Sequence, residues 1–444
     1  MSAHPSSQYT RRLARHVLSY RDAELPAAAL TVARQCILDW FAVTLAGLEE
    51  PVARLLRDEV TPGSAGAATI VGTSIRCAPA DAALVNGATS HALDYDDVHP
   101  LVGHPTVAVL PAALAVAEAQ GRSGAELLRA FVAGYEAAAA VGTLVMPSHY
   151  DRGFHSTGTV GSFGAAAAAG LLLGLDEAQM ATALGLAGTQ AAGLKSMFGT
   201  MAKPLHAGKA ASNGVLAARL AARGFTAHPA LLDVAQGFVA TQSDGPGEGI
   251  EIAPPGERVV GTLFKFHAAC FLTHSTIEAV NDIRRAHSFA AEDIAAIDLH
   301  VPAAHLGVCN IPSPMTGLEV KFSLRHTAAL AARGDDTAAI GTYSDRCARD
   351  PALVALRERI TVHGDLPPRA VAEARIAMRS GTVHVGQVDV SVADTDLGRQ
   401  GERLTAKFRS LAGAAVGEGR SERLRARIAA LGATETIGEL VTLA

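Results

Sequence analysis

A chain of 444 residues with 49% hydrophobic and only 18% charged side chains can bury more than one sizeable core, which excludes a disordered or fibrous protein. A formal net charge of -5, with no Lys/Arg-rich tract interleaved with aromatics, excludes nucleic acid as the expected partner. Cys36, Cys77, Cys270, Cys309 and Cys347 are scattered without a C-x-x-C pair, so neither a disulfide framework nor a structural zinc site is expected and a reducing cytoplasm fits.

Residues 1–12 lack the apolar core of a secretion signal. The later apolar runs are rich in Ala and Gly and break within about 18 residues, so no membrane span is expected. Two helical patterns cover 7–46, with Gly47 as the stop of the second. Helix continues over 52–59, 68–72 reads as a short extended turn, and helices resume over about 79–93, 105–120 and 124–144. Ala and Gly on these helices permit close axis-to-axis packing, so this part of the chain reads as a compact helical body.

Polar chemistry is concentrated in three knots. The first, 91–105, holds His91, Asp94, Tyr95, Asp96, Asp97, His99 and His104 among two prolines. His91 and Asp94, three apart, fall on one face of a helix's last turns, and Pro105 sits in the first turn of the next, where a missing N–H costs nothing. The second, 150–159, runs into the apolar helix 160–173 with Ser156 or Thr157 as its N-cap, which puts His155 just before a helix start. The third, 199–209, leads into helix 210–222; Lys203 precedes Pro204 and is expected to be extended, with Pro204 opening the helix behind it. His104, His155 and Lys203 thus each precede a helix N-terminus, where free N–H groups and the macrodipole favour anions. If the three ends converge, they form a pocket for a small polycarboxylate.

Beyond residue 266 the texture changes. Segments 294–301, 374–378 and 382–390 alternate or carry β-branched residues as strands do, with helices between them around 275–287 and 322–332. The expected fold is multi-domain, α and α+β: a large all-helical domain over 1–266, a smaller α/β lid domain over 267–395, and a C-terminal helical segment, 396–444, that returns to the helical body.

His91-Ala-Leu-Asp-Tyr-Asp-Asp, Gly-His-Pro at 103–105, Arg-Gly-Phe-His at 152–155, Ala-Lys-Pro-Leu-His at 202–206, Lys-Phe-His at 265–267 and Lys-Phe-Ser-Leu at 321–324 together resemble the MmgE/PrpD family, in order and spacing over nearly the whole chain. That family includes 2-methylcitrate dehydratase, cis-aconitate decarboxylase and iminodisuccinate epimerase, which act on small polycarboxylates without a redox cofactor. The resemblance implies a homodimer, and it matches Asp94, His104, His155, Lys203 and His274 to active-site positions of the decarboxylase branch. The chain departs from that branch at Val98, where the branch has a hydroxyl residue, and at His326, where it has a tyrosine.

Dehydration, decarboxylation and epimerisation of such acids share a carbanion or enolate-like species beside a carboxylate, which needs fixed cations or N–H dipoles and a base tuned toward neutral pH. His104 and His155 are the expected acid/base pair, Asp94 orients or charge-stabilises one of them, and Lys203 clamps a carboxylate, or acts as a base if burial lowers its pKa. His91, Arg152, His206, Lys209, His274 and His326 are candidates for substrate contact. Neither a cofactor nor a metal is expected: the Asp94, Asp96, Asp97 and His99 group has no second carboxylate-rich motif to complete a shell. The leading function is a cofactor-independent hydro-lyase acting on a small di- or tricarboxylate. Epimerisation comes next, decarboxylation third because of Val98 and His326, and a non-catalytic carboxylate-binding homologue is the alternative from another class.

Overall fold

A computed structural model describes residues 8–62, 65–245, 251–368, 371–432 and 437–444. Residues 1–7, where part of the N-terminal reading falls, and 433–436 in the expected helical tail lie outside the described residues. The chain divides into two units, Met1–Phe264 with Thr395–Ala444, and Lys265–Asp394.

The first unit is built of helices. Ala27–Ala46 and Gly124–Val145 bury residues on every side, as interior helices do. At 20 and 22 residues they are long and apolar enough to cross a membrane by length and composition, although no span was expected from the sequence. Of their most apolar stretches, however, 78% and 89% is buried within the fold, which is how the core helix of a packed body behaves. Polar residues and glycines inside these runs do not end the helices, because neighbouring helices cover them.

Glycine sets how closely the helices approach. The Pro79–His91 and Ala202–Ala222 helices pack together at Gly87 and Gly208, where a Cβ on Gly87 would stand 2.9 Å from the Gly208 Cα and one on Gly208 would stand 2.2 Å from the Leu84 carbonyl oxygen. Backbone touching backbone leaves no room for a methyl group, so this crossing fixes where His91, at the end of one helix, meets Lys203 and His206, at the start of the other. Gly134 and Gly164 do the same for the Gly124–Val145 and Ser156–Leu172 helices.

Three expectations shift. Lys203 is not extended: the helix begins at Ala202, so Lys203 is its second residue and Pro204 its third. The first turn's N–H groups have no acceptor inside the helix, so proline is tolerated there and does not mark the first residue. The N-cap before Ser156–Leu172 is His155 itself, in extended backbone, rather than Ser156 or Thr157. Helix Glu177–Gln190 was not anticipated, although Asp176 and Gln179 form a capping box at its start, a signal visible in the sequence as Asp-x-x-Gln.

Helix Leu397–Val416 packs against Ala27–Ala46. Its buried face carries Gln400, Leu404, Lys407, Phe408 and Leu411, a helical spacing in which Lys407 is the one charged residue of a largely apolar stripe.

The second unit holds a four-stranded sheet in the order Ile360–Leu366, Ile294–Pro302, Val371–Met378, Val383–Asp389. The first pair is parallel and the other two antiparallel. Helix Phe271–Ala286 packs on the last two strands and on Leu324–Arg333. Ile360–Leu366 had no strong hydropathy signal because it lies at the sheet edge, with Thr361, Gly364 and Asp365 exposed.

Candidate active site

The first polar knot folds into a loop after the Pro79–His91 helix. The Asp94 N–H bonds back to the His91 carbonyl at 3.1 Å, and Asp94 adopts φ 50°, a left-handed conformation that aspartate tolerates better than most residues. His99 and Gly103 exchange backbone hydrogen bonds of 2.8 Å. Gly103 has φ 86°, and a Cβ there would stand 2.6 Å from Thr157 Oγ1; its absence lets that hydroxyl accept the His104 N–H at 3.0 Å. The loop is thereby fastened to the start of the Ser156–Leu172 helix.

Asp96, absent from the expected set, is the centre of the cluster. Its buried carboxylate meets His91 Nδ1 through Oδ1 at 2.8 Å and His104 Nδ1 through Oδ2 at 2.8 Å, while the Asp97 carbonyl also faces His104 Nδ1 at 3.0 Å. Burial alone would raise the Asp96 carboxyl, but the two imidazoles outweigh it and hold it well below the usual carboxylate range. His91 is pushed down to about 4, first by burial and with help from Lys203 and His104, so it is a neutral ring donating Nδ1–H to an ionised Asp96. For His104, the Asp97 carbonyl accepts from Nδ1, so that nitrogen carries a proton, with the Asp96 carboxylate in ion-pair range beside it. The His104 Nε2 stands 3.6 Å from Asp94 Oδ1, and the same oxygen receives Lys203 Nζ at 2.8 Å.

His155 completes the cluster. Its ring stacks at 6.1 Å on His91, and its Nδ1 lies 3.0 Å from Nδ1 of His206. Burial, followed by the nearby His91, Lys203, His104 and His206, holds His155 well below the ordinary imidazole range. Phe198 presents its ring to His155 at 5.0 Å and to the Lys203 ammonium at 5.4 Å.

Asp97 is different in kind: buried beside Asp96, it is raised well above the usual carboxyl range and accepts the Thr106 hydroxyl at 2.7 Å. Below the loop, Lys407 bridges Asp39 and the Tyr95 carbonyl at 2.6 Å each, with its ammonium 3.9 Å from the centre of the Tyr95 ring. The two partners of this bond are 312 residues apart, and the only hint in the sequence is a lysine in an apolar stripe.

The structure therefore gathers Asp94, His104, His155 and Lys203 with His91 and His206. Two candidates stand elsewhere in the helical unit: Arg152 is exposed and paired with Asp244, and Lys209 is exposed further along the helix from Lys203. His274 and His326 belong to the second unit. His274 is buried, with Nε2 3.2 Å from the Ala269 carbonyl and its ring 5.0 Å from His267, and burial holds it well below the ordinary range. His326 is fully buried, its Nε2 3.6 Å from the Cys347 sulfur.

His91, Asp94, Asp96 and His104 offer ligand atoms within 4.8 Å of one another, the one such group among the described residues. As a metal centre it is ill arranged. Asp96 is engaged by both imidazoles, and the Lys203 ammonium already neutralises Asp94. The donor set suits proton transfer beside a fixed cation better than a second cation.

Comparison with known proteins identifies the family. The MmgE/PrpD N-terminal domain is matched over residues 11–250 and the MmgE/PrpD C-terminal domain over 267–432. The chain belongs to the MmgE/PrpD family. It is 32% identical over 307 residues to a cis-aconitate decarboxylase-like protein, oryM, of Aspergillus oryzae, covering 63% of this chain and 62% of that one. It is 31% identical over 268 residues to cis-aconitate decarboxylase of Homo sapiens, covering 57% and 55%. Both alignments span less than two thirds of the relative's length. A 2-methylcitrate dehydratase of Cupriavidus necator is 26% identical over 422 residues, covering 86% of this chain and 85% of the relative. The relatives of this MmgE/PrpD chain named here are thus a decarboxylase-like protein, a decarboxylase and a dehydratase.

Proposed function

We propose that this MmgE/PrpD protein is a cofactor-independent lyase that removes a proton α to a carboxylate of a small di- or tricarboxylate, with dehydration as the first reading. The observation that carries it is the Asp96–His104 pair, which leaves His104 Nε2 as a base beside the Asp94–Lys203 ion pair. When Nε2 takes the substrate proton, the resulting imidazolium is stabilised by ionised Asp96 on one side and Asp94 on the other. Lys203 has three donors; one is spent on Asp94, and the others are available to a substrate carboxylate as enolate charge develops. His155 supplies the proton for the departing hydroxide.

Decarboxylation is a second reading, favoured by the names of the relatives at 29–32% identity. There Lys203 holds a carboxylate that stays, and His155 protonates the carbanion left by CO₂. The reading includes a pair of chains, supported by the exposed apolar side chains of Leu194, Met197 and Met201 on the helical unit. A mass near 45.6 kDa by light scattering at micromolar concentration would refute the pairing.

The deciding experiment is an NMR panel in D₂O with 2-methylcitrate, citrate, cis-aconitate, iminodisuccinate, tartrate and malate derivatives. Loss of water with formation of an unsaturated acid supports the first reading, and CO₂ release from cis-aconitate supports the second. Deuterium gained at the α-carbon without elimination indicates an epimerase, and no exchange with any acid indicates a non-catalytic binder.

A further inference from the structure

His206 stands at the edge of the cluster and has no part in the steps above. Its Nδ1 faces His155 Nδ1 at 3.0 Å, with the ring centres 5.3 Å apart. Two like nitrogens at that distance need one N–H and one lone pair between them, so a single proton lies on this line. The contact is built into the backbone. The His155 N–H donates to the Gly193 carbonyl at 2.9 Å, and Gly193, at φ 147°, would carry any Cβ to within 3.2 Å of His206 Nδ1. Gly158 brings the two helices together on the other side, where a Cβ would stand 3.0 Å from His206 Cβ. His155 is 2% exposed, whereas His206 is only half-buried. Burial lowers both rings, so the pair is neutral near pH 7 and able to hand on a proton without storing one.

We infer that His206 is a relay that returns protons from solvent to His155 between turnovers. Water or a buffer acid gives a proton to His206 Nε2, and the Nδ1 proton of His206 crosses to His155 Nδ1. The Nε2 proton of His155 then passes to the substrate, so each ring gains one proton and loses one. Both rings end neutral in the opposite tautomer; the substrate proton held on His104 then passes to His155 Nε2 as the Nδ1 proton hops back to His206 and the Nε2 proton of His206 leaves to solvent, which restores all three rings. This inference rests on the proposed proton-transfer chemistry and adds the path by which the buried acid is recharged.

The test compares wild type, His206→Ala and His206→Gln on whichever acid of the panel turns over, at low and high concentrations of a small imidazole buffer. The relay requires that His206→Ala lower kcat by about 10-fold or more in low buffer at unchanged KM, with saturable recovery as imidazole rises. His206→Gln keeps volume and a hydrogen bond but cannot pass a proton, so it should share the kcat loss. Full activity in either variant at low buffer, or a loss that imidazole does not restore, overturns the relay while leaving the lyase reading intact. Absence of wild-type turnover on every acid overturns the lyase reading itself and the relay with it.

Discussion

Buried histidines differ by their partners, most plainly between the His91–His104 cluster of the helical unit and His274 of the smaller one. In the helical unit, His91 and His104 close on one ionised carboxylate, and a second carboxylate joins His104 to a lysine. In the smaller unit, His274 lies against a carbonyl and His326 against a thiol, while His267 is placed between the Thr337 hydroxyl and Glu278. A carboxylate partner lowers the cost of forming an imidazolium, whereas a carbonyl fixes one tautomer of a neutral ring and gives no such help. A ring of the first kind takes up a proton readily; a ring such as His274, buried against a carbonyl, is held well below the ordinary imidazole range.

That contrast can be broken most directly at His104. His104→Asn should lower kcat by about 1000-fold with little change in KM, the loss typical of a positioned base. A residual kcat within about 10-fold of wild type would move the base to another residue.

Lys203→Ala should cost on the order of 100-fold in turnover by removing a charge-assisted contact that strengthens in the transition state. Lys209→Ala, exposed further along the same helix, should do much less. The two variants are compared at matched thermal stability; the reverse ranking would place the site further along the chain than Lys203.

The smallest effect concerns stability and leaves activity aside. Burial, with Arg258 nearby, lowers His99 to about 4. Between about pH 6.5 and 4 the unfolded chain therefore binds a proton that the folded chain refuses, so stability is full above 6.5 and falls as the pH drops. The loss amounts to roughly 3 kcal/mol by pH 4. His91, also near 4, acts in the same direction. Urea denaturation across this range should show a shallower pH slope for His99→Asn than for wild type.

Much of this was legible in the chain before any coordinates. The helical texture up to about residue 266, the strands near 294–301, 374–378 and 382–390, and the family all follow from local pattern, because the 3.6 and 2.0 periodicities and short motifs are local properties. His104, His155 and Lys203 could each be placed at a helix start for the same reason. The helix boundary at Lys203 was misplaced because a proline fits any of the first turn's unbonded N–H positions, so its presence does not say which residue comes first.

The sequence by itself thus determined the fold class, the polar knots and which residue types were available for proton chemistry. Only the tertiary structure decided which carboxylate orients which imidazole. Three aspartates within four residues look alike in one dimension, yet Asp94 pairs with Lys203, Asp96 is shared by His91 and His104, and Asp97 is buried against Thr106. Their environments diverge because burial and nearby charge depend on which helices converge, and the Gly87–Gly208 crossing and the Lys407 bridge from the C-terminal helix join segments far apart in the chain.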